Sequence, residues 1–194
     1  MFWKGSRREV LAEPISDPAD AASQPCALLS RFFHRIVQVQ PSPHILMLGE
    51  LCGANVSFLG KHGFRVCVEA DVVPGPAGTY AGALVWDALS LMPPIEARRR
   101  TLLLHDVLAS GGAVLAFFRS AASAASCPRT RYRILSENLL SPESVQGRAG
   151  VVHPYQNREI IRLFDPLDLD LLHTHRDGQR EVMFIKRRPG SRDV

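Results

Sequence analysis

Residues 44–71, HILMLGELCGANVSFLGKHGFRVCVEAD, contain the pattern that decides the fold of this chain. An apolar run at 44–48 leads into Gly49 and Gly53, a helical stretch follows, and a second apolar run occupies 64–68. Continuous apolar runs of this length are typical of parallel strands that are covered on both faces. Strand, glycine turn, helix and strand together predict a right-handed βαβ unit.

The rest of the chain continues this alternation. Two further apolar runs, GALVW at 82–86 and GAVLAFF at 112–118, flank a helical stretch at 94–110. Residues 119–154 are predicted to be less regular, with a flexible linker and one short strand at 132–135. The remaining predicted elements are a helix over 28–37, a helix over 157–167, and two closing strands at 169–175 and 180–186 joined by Asp177–Gly178. The predicted fold class is therefore a Rossmann-like, doubly wound, mostly parallel α/β sheet with a C-terminal antiparallel hairpin.

The composition is that of a globular domain. The chain has 194 residues, of which 46% are hydrophobic and 22% charged. We expect a flexible N-terminal arm at 1–24, one domain at 25–188 and a short tail at 189–194. No apolar run reaches membrane-spanning length and the N-terminus lacks a signal-peptide pattern, so a cytoplasmic protein is predicted.

Charged residues and cysteines indicate no dedicated metal or nucleic-acid site. The net charge is +4, and the basic residues fall in short clusters without interleaved aromatic residues. That pattern favours solvated faces over contact with RNA or DNA, which stays an alternative. The four cysteines are widely spaced and form no C-x-x-C pair, so neither a zinc site nor a disulfide framework is predicted. The oligomeric state is left open.

Together, these elements resemble the class I S-adenosylmethionine-dependent methyltransferase fold over roughly residues 25–188. The resemblance is carried by ILMLGELCGANVSFLGKHGFRVCVEAD, GALVWDALSLMPP and LLLHDVLASGGAVLAFF, and by the closing hairpin. The first of these stretches, with YQNREIIRLF and REVMFIKR, is similar to a divergent bacterial branch with a degenerate glycine-rich motif. The resemblance implies S-adenosylmethionine as cofactor and methyl transfer to an acceptor that the sequence does not identify.

The sequence also departs from that family. Small residues would be expected where Glu50, Leu51 and Cys52 stand, and an acidic residue where Met47 stands. Only about a dozen residues separate Glu69 from the next apolar run, which is too few for a helix and a strand. The family's third strand is therefore predicted to be lost or reduced.

Candidate cofactor contacts follow from the resemblance. Glu69 ends the second strand, where a carboxylate would accept both ribose hydroxyls, and Asp71 competes for that role. Asn55 is either a helix cap or a ligand contact, and Trp86 either stacks on a ring of the ligand or packs in the core. The full set of predicted cofactor-binding residues is Gly49, Gly53, Asn55, Glu69, Asp71, Trp86 and Asp87.

The candidates for catalytic residues are weaker than those for cofactor contacts, and other functions are alternatives to methyl transfer. His153 and Tyr155 could serve as a base near the acceptor, although an anchoring role in the loop is favoured. The main rival is a catalytically inactive scaffold for protein–protein association, in which Leu51 and Met47 fill the pocket. A dinucleotide oxidoreductase is disfavoured because the glycines are spaced G-x-x-x-G, without a G-x-G-x-x-G motif.

Overall fold

A computed structural model describes residues 23–68, 75–119 and 127–188. Two predicted ribose contacts, Glu69 and Asp71, lie outside the described residues. So do the expected tail and all but the last two residues of the expected N-terminal arm. Within the described ranges, no helix is both long enough and apolar enough to span a bilayer.

The described elements alternate between strands and helices along most of the chain. They are β1 (Gln24–Pro25), α1 (Leu29–Val37), β2 (His44–Leu48), α2 (Gly53–Lys61), β3 (Arg65–Val68), β4 (Tyr80–Val85), a 3-10 turn (Ala88–Leu91), α3 (Pro94–Val107), β5 (Leu108–Phe118), β6 (Cys127–Ser136), β7 (Leu139–Gly150), α4 (Asn157–Leu163), β8 (Asp168–Thr174) and β9 (Arg180–Ile185).

The main sheet has six strands in the order β3-β2-β4-β5-β9-β8. Strands β3, β2, β4 and β5 are parallel, while β9 runs antiparallel to both β5 and β8. This arrangement confirms the predicted mostly parallel sheet with an antiparallel hairpin at its end. Among residues 75–79, the described part of the segment between β3 and β4, there is no strand.

Helices cover both faces of this sheet and create two cores. Along β2, Ile45 and Met47 face the core under α1 and α2, whereas Leu46 and Leu48 face the core under α3 and α4. All four side chains are buried, which explains why the sequence of β2 shows an apolar run without alternation.

A second, three-stranded sheet corrects the prediction for residues 119–154. Strands β6 and β7 form a long antiparallel hairpin, and β1 pairs with β7 to give the order β1-β7-β6. Tyr132 and Ile134 of β6 are buried in the core under α1 and α2, so the hairpin packs on the main domain. The prolines and glycines of this segment, such as Pro142 opposite Tyr132, obscured the strand pattern in the sequence.

Helix α1 lies close to the sheet because β4 has a glycine at the contact. A Cβ atom added to Gly82 would lie 2.6 Å from Cζ of Phe32 and 2.8 Å from Cγ2 of Ile36. Both side chains are fully buried, so neither can move aside without disturbing the core.

We expect Gly82→Ala to lower the free energy of unfolding by about 1–3 kcal/mol, the usual cost of overpacking a core. The matched control is Gly60→Ala at an exposed position of α2, where an added Cβ meets nothing within 4 Å. That change is expected to raise stability by about 0.5 kcal/mol because alanine is the better helix former. Urea unfolding of both variants checks the packing, and an unchanged stability for Gly82→Ala would contradict it.

Candidate functional site

A cleft of about 360 Å³ opens at the carboxyl ends of β2 and β4. This is the edge at which open α/β sheets bind ligands, and the volume lies within the range of small-molecule sites. The turn after β2, the segment after β4, α3 and β6 all contribute to its walls. The lining residues are Leu48, Gly49, Glu50, Leu51, Trp86, Ala88, Leu91, Met92, Arg100, Arg129 and Thr130.

Gly49 sets the shape of the turn after β2. Its φ is +118°, and a Cβ added there would lie 2.6 Å from the carbonyl oxygen of Trp86. The amide N–H of Trp86 donates to the carbonyl of Leu48 at 2.9 Å, so the ends of β2 and β4 are drawn together. Gly49 is thus required by contact between two parts of this chain. At Gly53, the first residue of α2, an added Cβ would meet no atom within 4 Å.

Leu51 and Met47 have different locations. Leu51 lines the cleft and its side chain is 52% exposed, whereas Met47 is 2% exposed, packs in the core and is absent from the cleft lining. The hollow is therefore open beside Leu51, with no contribution from Met47.

Charged side chains from three elements line the cleft. Arg129 of β6 donates to Oε1 of Glu50 at 3.0 Å, which joins the hairpin to the turn after β2. Arg100 of α3 also lines the cleft, and its Nε donates to Oε1 of Glu96 at 2.9 Å. Both signs of charge are therefore present, and the carboxylate and the guanidinium groups come from different elements.

A buried polar network lies behind this wall. Arg119 donates from Nε to Oδ2 of Asp87 at 2.7 Å, and the hydroxyl of Tyr132 donates to the same carboxylate at 3.0 Å. Arg119 also donates to Oγ1 of Thr130, and Nε2 of Gln179 donates to the Tyr132 hydroxyl oxygen at 2.6 Å. The network ties the ends of β4 and β5 to β6.

Burial decides the protonation behaviour of this network. It raises the pKa of the Asp87 carboxyl above its usual value, against the opposing effects of the Arg119 charge and of the Tyr132 hydroxyl. Burial, and then the nearby Asp87 charge, raise the pKa of Tyr132 well above its usual value, so the phenol stays protonated.

Comparison with known proteins identifies solved structures that share this architecture. No protein-family model matches the sequence, and no curated protein matches it significantly. Solved structures do match. The 1,6-didemethyltoxoflavin-N1-methyltransferase of Burkholderia thailandensis, solved with bound S-adenosylhomocysteine, matches with a TM-score of 0.54 and 13% identity, over 84% of this chain and 78% of that one.

Two more matches agree with it. The CcbJ methyltransferase of Streptomyces caelestis matches with a TM-score of 0.53 and 12% identity, over 84% of this chain and 91% of that one. A SAM-dependent methyltransferase of Methanosarcina mazei matches with a TM-score of 0.51 and 12% identity, over 76% of this chain and 94% of that one. The chain has the class I S-adenosylmethionine-dependent methyltransferase fold. At sequence identities of 12% and 13%, the similarity to these structures shows the fold alone.

Within this methyltransferase fold, Asn55 has a role other than the two predicted. Its side chain is completely buried; Nδ2 donates to the carbonyl of Tyr132, and Oδ1 accepts from the N–H of Ile134, both at 2.7 Å. Because both ends of the amide are occupied by the backbone of β6, Asn55 neither caps α2 nor lines the cleft.

Trp86 and Asp87, both predicted to bind the cofactor, make contacts within the protein. The ring of Trp86 packs against Phe117 and Tyr132 at centroid distances of 5.1 and 5.6 Å, which is the core-packing alternative, although the residue also lines the cleft. Asp87 is 1% exposed and is absent from the lining, since its carboxylate is held by Arg119 and Tyr132. The structure thus gives Asp87 the role of anchoring β6, in place of the predicted ligand contact.

The two predicted catalytic residues lie beside a separate depression of about 400 Å³, next to α4. The N–H of His153 donates to the carbonyl of Ser90 at 2.7 Å. Tyr155 packs edge-on against Phe118, and its buried hydroxyl has no hydrogen-bond partner within the described ranges. Burial, followed by the charge of Glu159, raises the pKa of Tyr155. Neither residue lines the first cleft, and both line this second depression.

The sequence analysis missed Arg100, Arg119, Arg129 and Thr130. Arg119, Arg129 and Thr130 fall in the stretch predicted to be a linker, so the sequence does not indicate that Arg129 and Thr130 line the cleft or that Arg119 lies behind its wall. The only local signal was the alternation in RTRYRI at 129–134, which is typical of a strand with one buried face.

Replacing Arg119 by methionine should leave Asp87 buried without its cation and cost about 3–5 kcal/mol. Burial raises the pKa of Asp87 and the Arg119 charge lowers it, so we expect this pKa to rise further in the variant. When the pKa of a carboxyl is higher in the folded than in the unfolded state, the folded protein becomes less stable as the pH rises from the unfolded-state pKa through the folded-state pKa. Urea unfolding should therefore show a larger loss at about pH 8 than at about pH 5.

The control is Arg31→Met, which removes an exposed ion pair with Asp170 at 2.9 Å. It is expected to cost less than about 1 kcal/mol. An equal loss for Arg119→Met at both pH values would contradict the buried-charge interpretation of Asp87.

Proposed function

We propose that this chain is an S-adenosylmethionine-dependent methyltransferase and that the cleft between the turn after β2 and β6 holds the cofactor. The observation that carries the proposal is an open cleft of about 360 Å³ at the carboxyl ends of β2 and β4, lined by Glu50 and Arg129, which are hydrogen-bonded to each other at 3.0 Å. The fold supports the same conclusion.

The side chains of the cleft fit the amino-acid end of the cofactor. That end carries one ammonium and one carboxylate group, which require an acidic and a basic partner close together. Glu50 and Arg129 supply such a pair, and each can exchange its present partner for the ligand group of opposite charge. Leu48, Ala88 and Met92 add an apolar wall for the chain that joins these groups to the sulfonium.

The proposed ribose contact is Glu69, with Asp71 as the competing residue. Val68 pairs with Met47 in the parallel ladder, so β3 ends beside the turn that carries Gly49. Glu69 is the next residue of the chain. One ionised carboxylate offers two oxygens to two hydroxyl donors, which is the reason for assigning it the sugar.

When bound, the cofactor supplies an electrophilic methyl group for direct transfer to the acceptor. The residues of this chain bind and orient the reactants and exclude water from them. The described lining contains no histidine, cysteine or tyrosine, and Glu50 is its one carboxylate. This lining suits an acceptor whose nucleophilic atom needs no strong base, such as an uncharged amine or an anion already ionised in water.

Calorimetric titration with S-adenosylhomocysteine tests the proposal. We expect the wild-type chain to bind it, and Glu50→Gln to weaken binding about tenfold or more, since a hydrogen bond to a charged group is lost. Glu69→Ala should weaken it at least as much, because it removes the proposed ribose contact.

The matched control is Glu143→Gln on β7. It breaks a comparable ion pair, with Arg131 at 2.7 Å, and neither residue of that pair lines the cleft. Its affinity should equal that of the wild type. Absence of binding by the wild-type chain at millimolar ligand would overturn the enzyme proposal and favour the scaffold alternative.

A further inference from the structure

Thr130 presents an unused hydrogen-bond donor to the cleft. Its side chain lines the cleft, and its Oγ1 accepts a hydrogen bond from Nη2 of Arg119. A hydroxyl group has acceptor lone pairs and one proton, so the guanidinium occupies the acceptor side alone. No acceptor for the Thr130 proton lies among the residues that the structure describes, and that proton is available to a molecule in the cleft.

The orientation of this donor is fixed from behind. Arg119 is 6% exposed, and its Nε donates to Asp87 at 2.7 Å, so the guanidinium plane cannot turn freely. Asp87 is itself held by the hydroxyl of Tyr132. A hydroxyl that accepts from a cation becomes a stronger donor, because hydrogen bonds in a chain polarise one another.

The surrounding wall determines which ligand atom suits this donor. Arg129 and Arg100 line the same cleft, and among the described lining residues they and Thr130 make three donor side chains against one carboxylate, that of Glu50. Clustered donors and positive charge favour an oxygen that carries negative charge over a neutral carbonyl or ether.

We infer that the Thr130 hydroxyl donates to an anionic oxygen of the ligand, a carboxylate or a phosphate, and that Arg119 and Asp87 are positioning residues for it. The inference rests on the proposed function of the cleft as a ligand site. The anionic oxygen has two sources: the carboxylate of the cofactor or an acidic group of the acceptor. Thr130 thereby becomes a determinant of ligand specificity.

Three variants separate this role from a structural one. Thr130→Val keeps the shape and the strand preference of the side chain but removes the hydroxyl, whereas Thr130→Ser keeps the hydroxyl. Thr174→Val, at an exposed position of β8, is the matched control for a threonine-to-valine change in a strand. Each is titrated calorimetrically with S-adenosylhomocysteine, with 5′-methylthioadenosine, which lacks the amino-acid end, and with inorganic phosphate added after saturating S-adenosylhomocysteine.

If the anion belongs to the cofactor, Thr130→Val should bind S-adenosylhomocysteine about tenfold or more weakly and methylthioadenosine unchanged. The serine variant and the Thr174 control should then behave as the wild type. If the anion belongs to the acceptor, Thr130→Val should instead lose the binding of phosphate to the cofactor-loaded chain. Either result supports the inference and identifies the source.

Equal affinities of wild type and Thr130→Val for all three probes would overturn the inference and leave the proposed function standing. If the wild type binds no S-adenosylhomocysteine but binds phosphate in a Thr130-dependent manner, the proposed function falls and the inference stands. If the wild type binds neither probe, both are overturned.

Discussion

The buried ion pair between Asp87 and Arg119 fixes the carboxyl ends of β4 and β5 against the β6–β7 hairpin. Both side chains are withdrawn from water, and each is acceptable there only because the other compensates its charge. Asp87 also has a positive φ of 48°, so the backbone turns sharply as it leaves β4 and brings the carboxylate under the hairpin. The wall of the cleft that carries Arg129 and Thr130 therefore depends on this pair.

A second buried carboxylate holds the other end of the small sheet. Glu181 of β9 is completely buried and accepts from the N–H of Leu28 at 2.9 Å and from Nε2 of His175 at 2.6 Å. Sγ of Cys26 donates to it at 3.3 Å; burial, and then the charge of Glu181, raise the pKa of this thiol well above its ordinary value. Because β1 lies next to Cys26 and pairs with β7, the small sheet is fastened to the main sheet at both of its edges.

The sequence was sufficient for the parts of the fold that local pattern determines. The continuous apolar runs of β2, β4 and β5 predict strands buried on both faces, and Asp177–Gly178 predicts the final hairpin. The site residues were predicted less well because their partners are distant in the chain. Asn55 binds Tyr132, which is 77 residues away, and Asp87 binds the same residue across 45 positions. No local pattern contains such a pairing, so the sequence leaves Asn55 as a helix cap or a ligand contact and predicts a ligand contact for Asp87.

Hydrogen–deuterium exchange with and without S-adenosylhomocysteine is the most direct test of a ligand held between the turn after β2 and the hairpin. The geometry predicts slower exchange of backbone amides at 49–53, at 88–92 and around Thr130, since these segments form the walls of the cleft. Exchange at 153–163, beside the second depression, should not change. Unaltered exchange at the cleft, or protection confined to 153–163, would contradict the assignment of the site.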